Sequence, residues 1–330
     1  MPLHNQEIRL IRRPRGKPGH DDFSLFDTPV HAPEPGQILV KIGWLSMDTY
    51  LHERASGDAM GPMVPLDSRM VGRGLGTVVA GSLPAGTLVR GEFDWQRYAT
   101  VSASSVTTLT RDDSPETWHL SILGVPGLTA WLGLRQLQGK TDGNGKMLLV
   151  SSAAGTVGSL AGQLAIASGL KVIGIAGGPE KCARLAELGF HATIDRLDVD
   201  NWADALRQAA PTGIDLYFDN TGGEILEAAV RCANDKARLL LCGHSGEYEG
   251  YAGRIRSSDI LYKRLTLEGF LVWDHAADFS HAGQALARAA KNGELTLHET
   301  IHEGLAKAPT ALRAMMDGDG MGKHLVRLED

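Results

Sequence analysis

Cysteine is nearly absent from this chain. Three occur in 330 residues, at positions 182, 232 and 242, and none lies in the first half. So scattered and odd a set builds neither a disulfide framework nor a structural zinc cluster, and it suits a reducing cytoplasm. Missing too is any run of about 18 apolar residues, the length a membrane-spanning helix needs. The opening segment, residues 1–7, is polar and acidic where a secretory leader is basic and then apolar. Nor is there excess positive charge: 33 Lys and Arg stand against 39 Asp and Glu, for a net charge of −6. That removes the bulk electrostatic case for nucleic acid or an anionic membrane as partner. The one basic cluster, Arg9, Arg12, Arg13, Arg15 and Lys17, is short and reads as a solvated face.

What is abundant is glycine, 40 residues, which signals tight turns or places where backbone approaches something closely. In the first 120 or so residues, short β-like runs such as 36–42, 76–80 and 86–91 are punctuated by Pro33, Pro35, Pro62, Pro65 and Pro84. They predict a compact antiparallel β-domain of barrel type. Gly72, Gly74 and Gly76 read as barrel glycines. From about residue 121 strands and helices alternate. The apolar run 146–150 is a strand covered on both faces. After it come strands at 171–175, 192–195, 214–218, 238–242 and 265–272, with helices between them. That alternation predicts an α/β fold with a doubly wound parallel sheet. The tail after 298, two strand-like runs around a helix at 308–316, is expected to return to the first domain. The domains are thus 1–122 completed by 299–330, and 123–298.

The strand at 146–150 runs into Ala153-Ala154-Gly155-Thr156-Val157-Gly158, a dinucleotide fingerprint with Ala for its first Gly. Placed between strand and helix, the spacing has a chemical purpose. Gly155 lets backbone approach a pyrophosphate, Gly158 lets helix and strand pack closely, and the helix N-terminus offers amides and a positive dipole. A tight βα turn without a ligand is the bland alternative. Proteins that bind NAD place an Asp or Glu about 20 residues further on, against the ribose 2′-hydroxyl. Here the second strand ends at Ala176-Gly177-Gly178 with no acid, and Lys181 follows where a 2′-phosphate would sit. Arg196, beyond the third strand, is a second candidate. NADP(H) is the expected cofactor.

Several blocks, in order along nearly the whole chain, resemble one family. They are Leu45-Ser46-Met47-Asp48-Thr49-Tyr50, Trp95-Gln96-Arg97-Tyr98-Ala99, Val125-Pro126-Gly127-Leu128-Thr129-Ala130-Trp131, the glycine turn, and Tyr217-Phe218-Asp219-Asn220-Thr221-Gly222-Gly223-Glu224. Cys242-Gly243, Tyr248, Glu268-Gly269-Phe270 and Gly322-Lys323 complete the series. The family is the zinc-independent medium-chain dehydrogenase/reductases of the prostaglandin reductase and NADP-dependent alkenal double-bond reductase type. The resemblance implies a GroES-like β-barrel domain beside a Rossmann domain, an active site in the cleft between them, and a homodimer formed through the Rossmann domain. It implies reduction of the C=C bond of α,β-unsaturated aldehydes and ketones. It also implies cofactor contacts from Pro126, Thr129, Ala154, Gly155, Thr156, Val157, Gly158, Gly177, Lys181, Asn220, Cys242, Gly243, His244, Tyr248, Phe270, Leu271 and Val272. The chain departs from the pattern where Thr49 replaces a Pro, Arg196 a Tyr, and Gly320 an Asn.

Zinc alcohol dehydrogenases draw their Cys ligands from the first domain, which here has none. Conjugate reduction needs no Lewis acid. It asks for a hydrogen-bond donor at the carbonyl oxygen as negative charge gathers there, and for a proton at the α-carbon. Tyr248, on the loop after the fifth strand, is the leading donor and Tyr50 the second, with Asp48 structural. His244 either assists or caps its turn. Trp44, Trp95 and Trp273 line an apolar slot or pack in core and rim. An NADPH quinone reductase of the same superfamily is the runner-up, and a non-catalytic NADPH-binding sensor the more distant alternative.

Overall fold

The computed structural model describes residues 4–57, 61–139, 145–248, 250 and 253–328. It divides into two units, residues 1–120 with 299–330 and residues 121–298, so the break falls at Leu120 and Ser121. The first unit opens with strands β1 His4–Leu10, β2 Phe23–Pro29 and β3 Gln37–Ser46, then helix α1 Tyr50–Ser56. Strands β4 Ser68–Arg69, β5 Arg73–Gly81, β6 Leu88–Glu92, β7 Tyr98–Ser102 and β8 Thr107–Leu109 follow. The second unit runs α2 Val125–Gln138, β9 Met147–Val150, α3 Thr156–Ala167, β10 Lys171–Ala176, α4 Pro179–Glu187 and β11 Ala192–Asp195. It continues through α5 Trp202–Ala209, β12 Ile214–Asp219, α6 Gly223–Cys232, β13 Ala233–Leu241, α7 Ser257–Lys263, β14 Thr266–Gly269 and α8 Phe279–Lys291. The tail supplies β15 Glu299–Glu303, α9 Ala308–Asp317 and β16 Lys323–Arg327. No helix among the described residues is long and apolar enough to cross a membrane.

In the second unit six parallel strands lie in the order β11-β10-β9-β12-β13-β14. This is the doubly wound Rossmann arrangement, whose winding reverses between its first and fourth strands, here β9 and β12. The composition of β9 fits a centre strand, since Leu148, Leu149 and Val150 are wholly buried. Each such side chain contributes roughly 1.5–3 kcal/mol by leaving water. Helix starts are encoded locally: Pro126 lies in the first turn of α2, and the Asn201 side chain accepts the Asp204 amide at 3.1 Å ahead of α5.

The first unit holds a three-stranded sheet, β2-β1-β4, and a seven-stranded one in which β3 pairs with β5, β7 and β16. It is not purely antiparallel, because β15 and β16 run parallel. A parallel pair needs a long crossover, and α9 between them provides it. Gly74 and Gly76 lie inside β5, where a β-carbon would run into the backbone of β3. Trp95 is wholly buried in this unit's core, so it belongs to packing and not to a substrate slot, whereas Trp273 is 47% exposed.

The N-terminal basic cluster is largely neutralised within the fold. Arg9 and Arg69 pair with the buried Glu7, Arg12 with Asp22, and Lys17 with Asp317, while Arg13 donates to the Ala55 carbonyl. Burial pushes the Glu7 carboxyl up, but the bonds from Arg9 and Arg69 outweigh it and hold Glu7 below its usual range. Asp94 goes the other way. Burial pushes it up to about 6, against the pull of Arg69 with Nη1 at 3.8 Å and with the help of Glu92.

A carboxyl raised on folding favours the protonated native state. Its contribution is therefore complete below the ordinary value of 3.8 and is lost as pH rises through 6. Asp94 also has φ +61°, which Asn tolerates as well as Asp. Asp94→Asn is thus expected to raise Tm by about 2–4 °C at pH 7.5–8, a modest gain because the side chain is one-third exposed and water screens its charge. Paired thermal melts should show the gain shrinking to nothing toward pH 4. A gain independent of pH would assign the effect to the backbone and not to the charge.

Candidate active site

Where the sheet reverses, the ends of β9 and β12 are tied by one carboxylate. Asp219 closes β12 and is wholly buried. Its Oδ1 accepts from the Tyr217 hydroxyl at 2.6 Å, the Ser151 hydroxyl at 2.9 Å, and the amides of Thr221 at 2.9 Å and Gly222 at 3.0 Å. Its Oδ2 is buried with no hydrogen-bond partner among the described residues. Burial first, and the Asp219 charge second, push the Tyr217 phenol well above its usual value, so it stays a donor. Asn220 gives its backbone N–H to Ser151 Oγ and its side-chain amide to the Ser151 carbonyl, both at 2.8 Å. One side-chain N–H of this expected cofactor residue is thus given to the scaffold.

From Ser151 the chain enters the glycine turn. Ser152 takes φ +49°, a strained conformation for a residue with a side chain. The Ala153 amide donates to the Ile175 carbonyl at 2.8 Å, and α3 begins at Thr156 behind its cap Gly155. The two glycines serve different ends. A β-carbon on Gly158 would collide with the Ser152 carbonyl oxygen and lie 2.9 Å from Ala153 Cα. On Gly155 it would meet, among the described residues, only the Ser152 oxygen, at 3.2 Å. Packing inside the chain accounts for Gly158 and leaves the face of Gly155 open.

The tips of β10 and β11 form a second cluster. Arg196 lies across Gly177, with Nε 2.8 Å from where a β-carbon on that glycine would stand. Asp195 accepts the Gly178 amide at 2.7 Å and the Leu197 amide at 3.0 Å. Lys181 sits in the first turn of α4.

The loop after β13 is laced to the loop after β12. The Cys242 amide donates to the Asp219 carbonyl at 2.7 Å, the Gly246 amide to the Thr221 carbonyl at 2.8 Å, and the Gly223 amide to Glu247 Oε1 at 3.1 Å. Gly243 abuts the Asn220 backbone so closely that a β-carbon there would lie 2.8 Å from its oxygen. His244 and Tyr248 meet edge to face, ring centres 5.2 Å apart. Burial, then the Asp219 charge, push the Cys242 thiol far up, so it is no nucleophile. Phe270 stacks on His275 at 5.0 Å, Val272 is buried and Leu271 is half exposed. On α2, Pro126 is buried and the Thr129 hydroxyl donates to the Val125 carbonyl at 2.8 Å.

In the first unit the buried Lys323 ammonium donates to the Met47 carbonyl at 2.5 Å and to Asp48 Oδ1 at 2.8 Å. Ser46 donates to the other oxygen of Asp48 at 2.6 Å. Burial alone would raise the Asp48 carboxyl, but Lys323 and Ser46 hold it low, so Asp48 is a structural ion. Tyr50 begins α1 with the Arg73 guanidinium 5.0 Å from its ring centre and its hydroxyl 3.5 Å from Glu92. Burial, then the charges of Glu92 and Asp48, push its phenol well above 10.0.

Sequence reasoning passed over Ser151, Asp195, Asp219 and Glu247. Asp219 had a signal, an acid ending the apolar run Leu216-Tyr217-Phe218, where a buried strand end demands a partner. Asp195 had a weaker one, an Asp at the cap of the turn that follows it, bonded to the Leu197 amide two residues on, whereas Ser151 and Glu247 have their partners far off in sequence.

Residues 156–288 match the family model described as zinc-binding dehydrogenase, and residues 6–109 that of the N-terminal domain of oxidoreductase. Among the described residues no three His, Cys, Asp or Glu side chains form a cluster that could hold a metal, so this donor set does not fit a zinc centre. The chain is 32% identical to the NADPH-dependent curcumin reductase of Escherichia coli, over 98% of this chain and 97% of that protein. It is 30% identical to the NADP(+)-dependent 2-alkenal reductase of Nicotiana tabacum, again over 98% and 97%. The solved structure of CurA from Vibrio vulnificus in complex with NADPH superposes with a TM-score of 0.92 at 30% identity, covering 98% of this chain and 99% of that one.

The two glycines of the turn can be separated by experiment. Gly158→Ala meets rigid backbone and should cost roughly 2–3 kcal/mol, lowering Tm by about 5–10 °C in calorimetry. Gly155→Ala, with an ordinary φ of −78° and one contact to relieve, should shift Tm by no more than about 2 °C. Equal losses would show that the Gly155 face is packed after all.

Proposed function

The chain belongs to the medium-chain dehydrogenase/reductase family and is an NADP-dependent oxidoreductase, and from that premise we propose that it reduces the C=C bond of small apolar enones and enals. What carries the proposal is full-length likeness to reductases of curcumin and of 2-alkenals, compounds that share an alkene conjugated to a carbonyl.

The residues fit the cofactor. The open face of Gly155 and the amide end of α3, across Ala154, Thr156, Val157 and Gly158, suit a diphosphate. Arg196, lying across Gly177, and Lys181 supply positive charge for a 2′-phosphate. The laced loop Cys242, Gly243, His244 and Tyr248, with Phe270, Leu271 and Val272, is assigned to the nicotinamide end, Asn220 with the glycine turn to the diphosphate-to-ribose region, and Pro126 and Thr129 to further cofactor contacts. Bound NADPH supplies a hydride equivalent to the β-carbon of the alkene.

Charge then gathers on the carbonyl oxygen, and the protein's task is to stabilise it and let the α-carbon take a proton. Tyr248 is the proposed hydrogen-bond donor to that oxygen, its ring steadied by His244. Tyr50 is the second candidate. Because its phenol is raised, it keeps its proton at any working pH and can donate without ionising. The same reading makes the protein a cytoplasmic homodimer joined through the second unit, where β14 is a terminal strand of the sheet.

The test is NADPH consumption by purified protein over a panel of alkenals, enones and quinones, repeated on Tyr248→Phe and Tyr50→Phe. Turnover of enals and enones is expected, with kcat falling about a hundredfold in Tyr248→Phe, as for loss of one oxyanion donor. Turnover of quinones alone would sink the proposed substrate class. A full rate in Tyr248→Phe would transfer the donor role to Tyr50, whose variant should then carry the loss.

A further inference from the structure

The acid that NAD-binding proteins hold at the tip of their second strand is absent from β10, yet a carboxylate stands one strand away. Asp195 is the last residue of β11 and is paired in register with Ala176, the last residue of β10. Its side chain is engaged by backbone of its own chain. A single oxygen, Oδ1, takes the Gly178 amide from the turn between β10 and α4, at 2.7 Å. The same oxygen takes the Leu197 amide, at 3.0 Å, capping the 3-10 turn Arg196–Asp198.

Two loops are thereby fastened to one atom. The first loop leads into the opening turn of α4, which carries Lys181. The second carries Arg196, whose guanidinium is laid across Gly177, a position where only the missing β-carbon leaves room. The amides of Leu197 and Gly178 hold the Asp195 carboxyl below its usual range, so at neutral pH it is an anion engaged by backbone.

We infer that Asp195 is a positioning residue for cofactor choice: by holding the Gly178 and Leu197 amides together it sets Lys181 and Arg196 side by side for a 2′-phosphate. The inference rests on the proposed assignment of those two cations to that phosphate. It makes a claim opposite in sign to simple electrostatics. Taking a negative charge away from a phosphate site should tighten NADPH binding. Taking away the acceptor that organises the site should weaken it.

The experiment uses the full chain and reads dissociation constants of NADPH and of NADH by fluorescence titration, with KM and kcat beside them. Asp195→Ala is expected to weaken NADPH about tenfold while NADH stays within about twofold and kcat is unchanged, because the lost contacts concern the 2′-phosphate alone. Asp195→Asn keeps an acceptor oxygen and loses the charge, so it should restore the NADPH preference. Asp195→Ser can cap its own 3-10 turn but is too short to reach Gly178. It should show the alanine loss in a protein whose local turn is intact, which covers the case in which Asp195→Ala folds poorly.

Lys181→Ala and Arg196→Ala test the underlying assignment. If neither lowers the preference for NADPH, that assignment fails and the inference falls with it. If either does while Asp195→Ala and Asp195→Ser do not, the assignment stands and the inference alone is overturned. The inference is overturned equally if Asp195→Asn loses as much as Asp195→Ala, or if NADH weakens in parallel.

Discussion

One buried carboxylate, that of Asp219, holds the edge of the second unit from which its candidate site residues project. A parallel sheet that reverses its winding between β9 and β12 leaves those two strand ends facing a crevice that no crossover helix closes. Backbone groups at such ends have no ladder partner, and leaving each unpaired in the interior costs roughly 1–3 kcal/mol. Asp219 answers for several at once, receiving the amides of Thr221 and Gly222 together with the hydroxyls of Ser151 and Tyr217. The donors also make the burial of the carboxylate tolerable, since an ion without them is far too costly to keep inside. Ser151 passes the restraint on, because its hydroxyl accepts from Asn220 while donating to Asp219.

The loops after β9, β12 and β13 consequently behave as one hydrogen-bonded body. Asn220 anchors to Ser151, and Cys242 and Gly246 hang from the carbonyls of Asp219 and Thr221. A shift at any one strand end would be felt by the glycine turn and by the loop bearing His244 and Tyr248. The first unit solves a similar problem with an ion pair. Lys323, on the last strand, reaches back to Met47 and Asp48 just ahead of Tyr50, so the tail fixes the start of α1. Removing either partner of so buried a pair would strand the other, at about 3–5 kcal/mol.

Legibility in the sequence followed periodicity. The central strands of the second unit could be read because β9 is apolar throughout and β10 and β12 nearly so, as strands covered on both faces must be, and the helices because small and apolar residues recur at helical spacing. The hairpin of β1 and β2 escaped notice because Glu7 and Arg9 interrupt β1, and nothing local shows that Glu7 points inward to meet Arg69, 62 residues later. The parallel pairing of β15 and β16 was hidden for a similar reason, since direction depends on the α9 crossover and not on the composition of either strand. In the site, glycines and cations could be picked out by type and spacing. The residues that position them could not, because Asp219 and Ser151 lie 68 residues apart and mean nothing until the sheet brings them together.

That difference bears on how cofactor choice is read from a sequence of this kind. An acid missing from the tip of β10 says that the ribose 2′-hydroxyl lacks its usual acceptor, which is an argument from absence. Asp195 supplies a positive argument. The carboxylate is present one strand over, and one of its oxygens is occupied by two amides, so it organises backbone. Under the proposed assignment Lys181 and Arg196 supply the positive charge for a phosphate that carries close to two negative ones. An Asp at the tip of β10 would compete for the same cations and repel the phosphate outright. The same residue type thus favours opposite cofactors depending on whether its oxygens face the ligand or the chain, and only the hydrogen bonds of Asp195 tell the two cases apart.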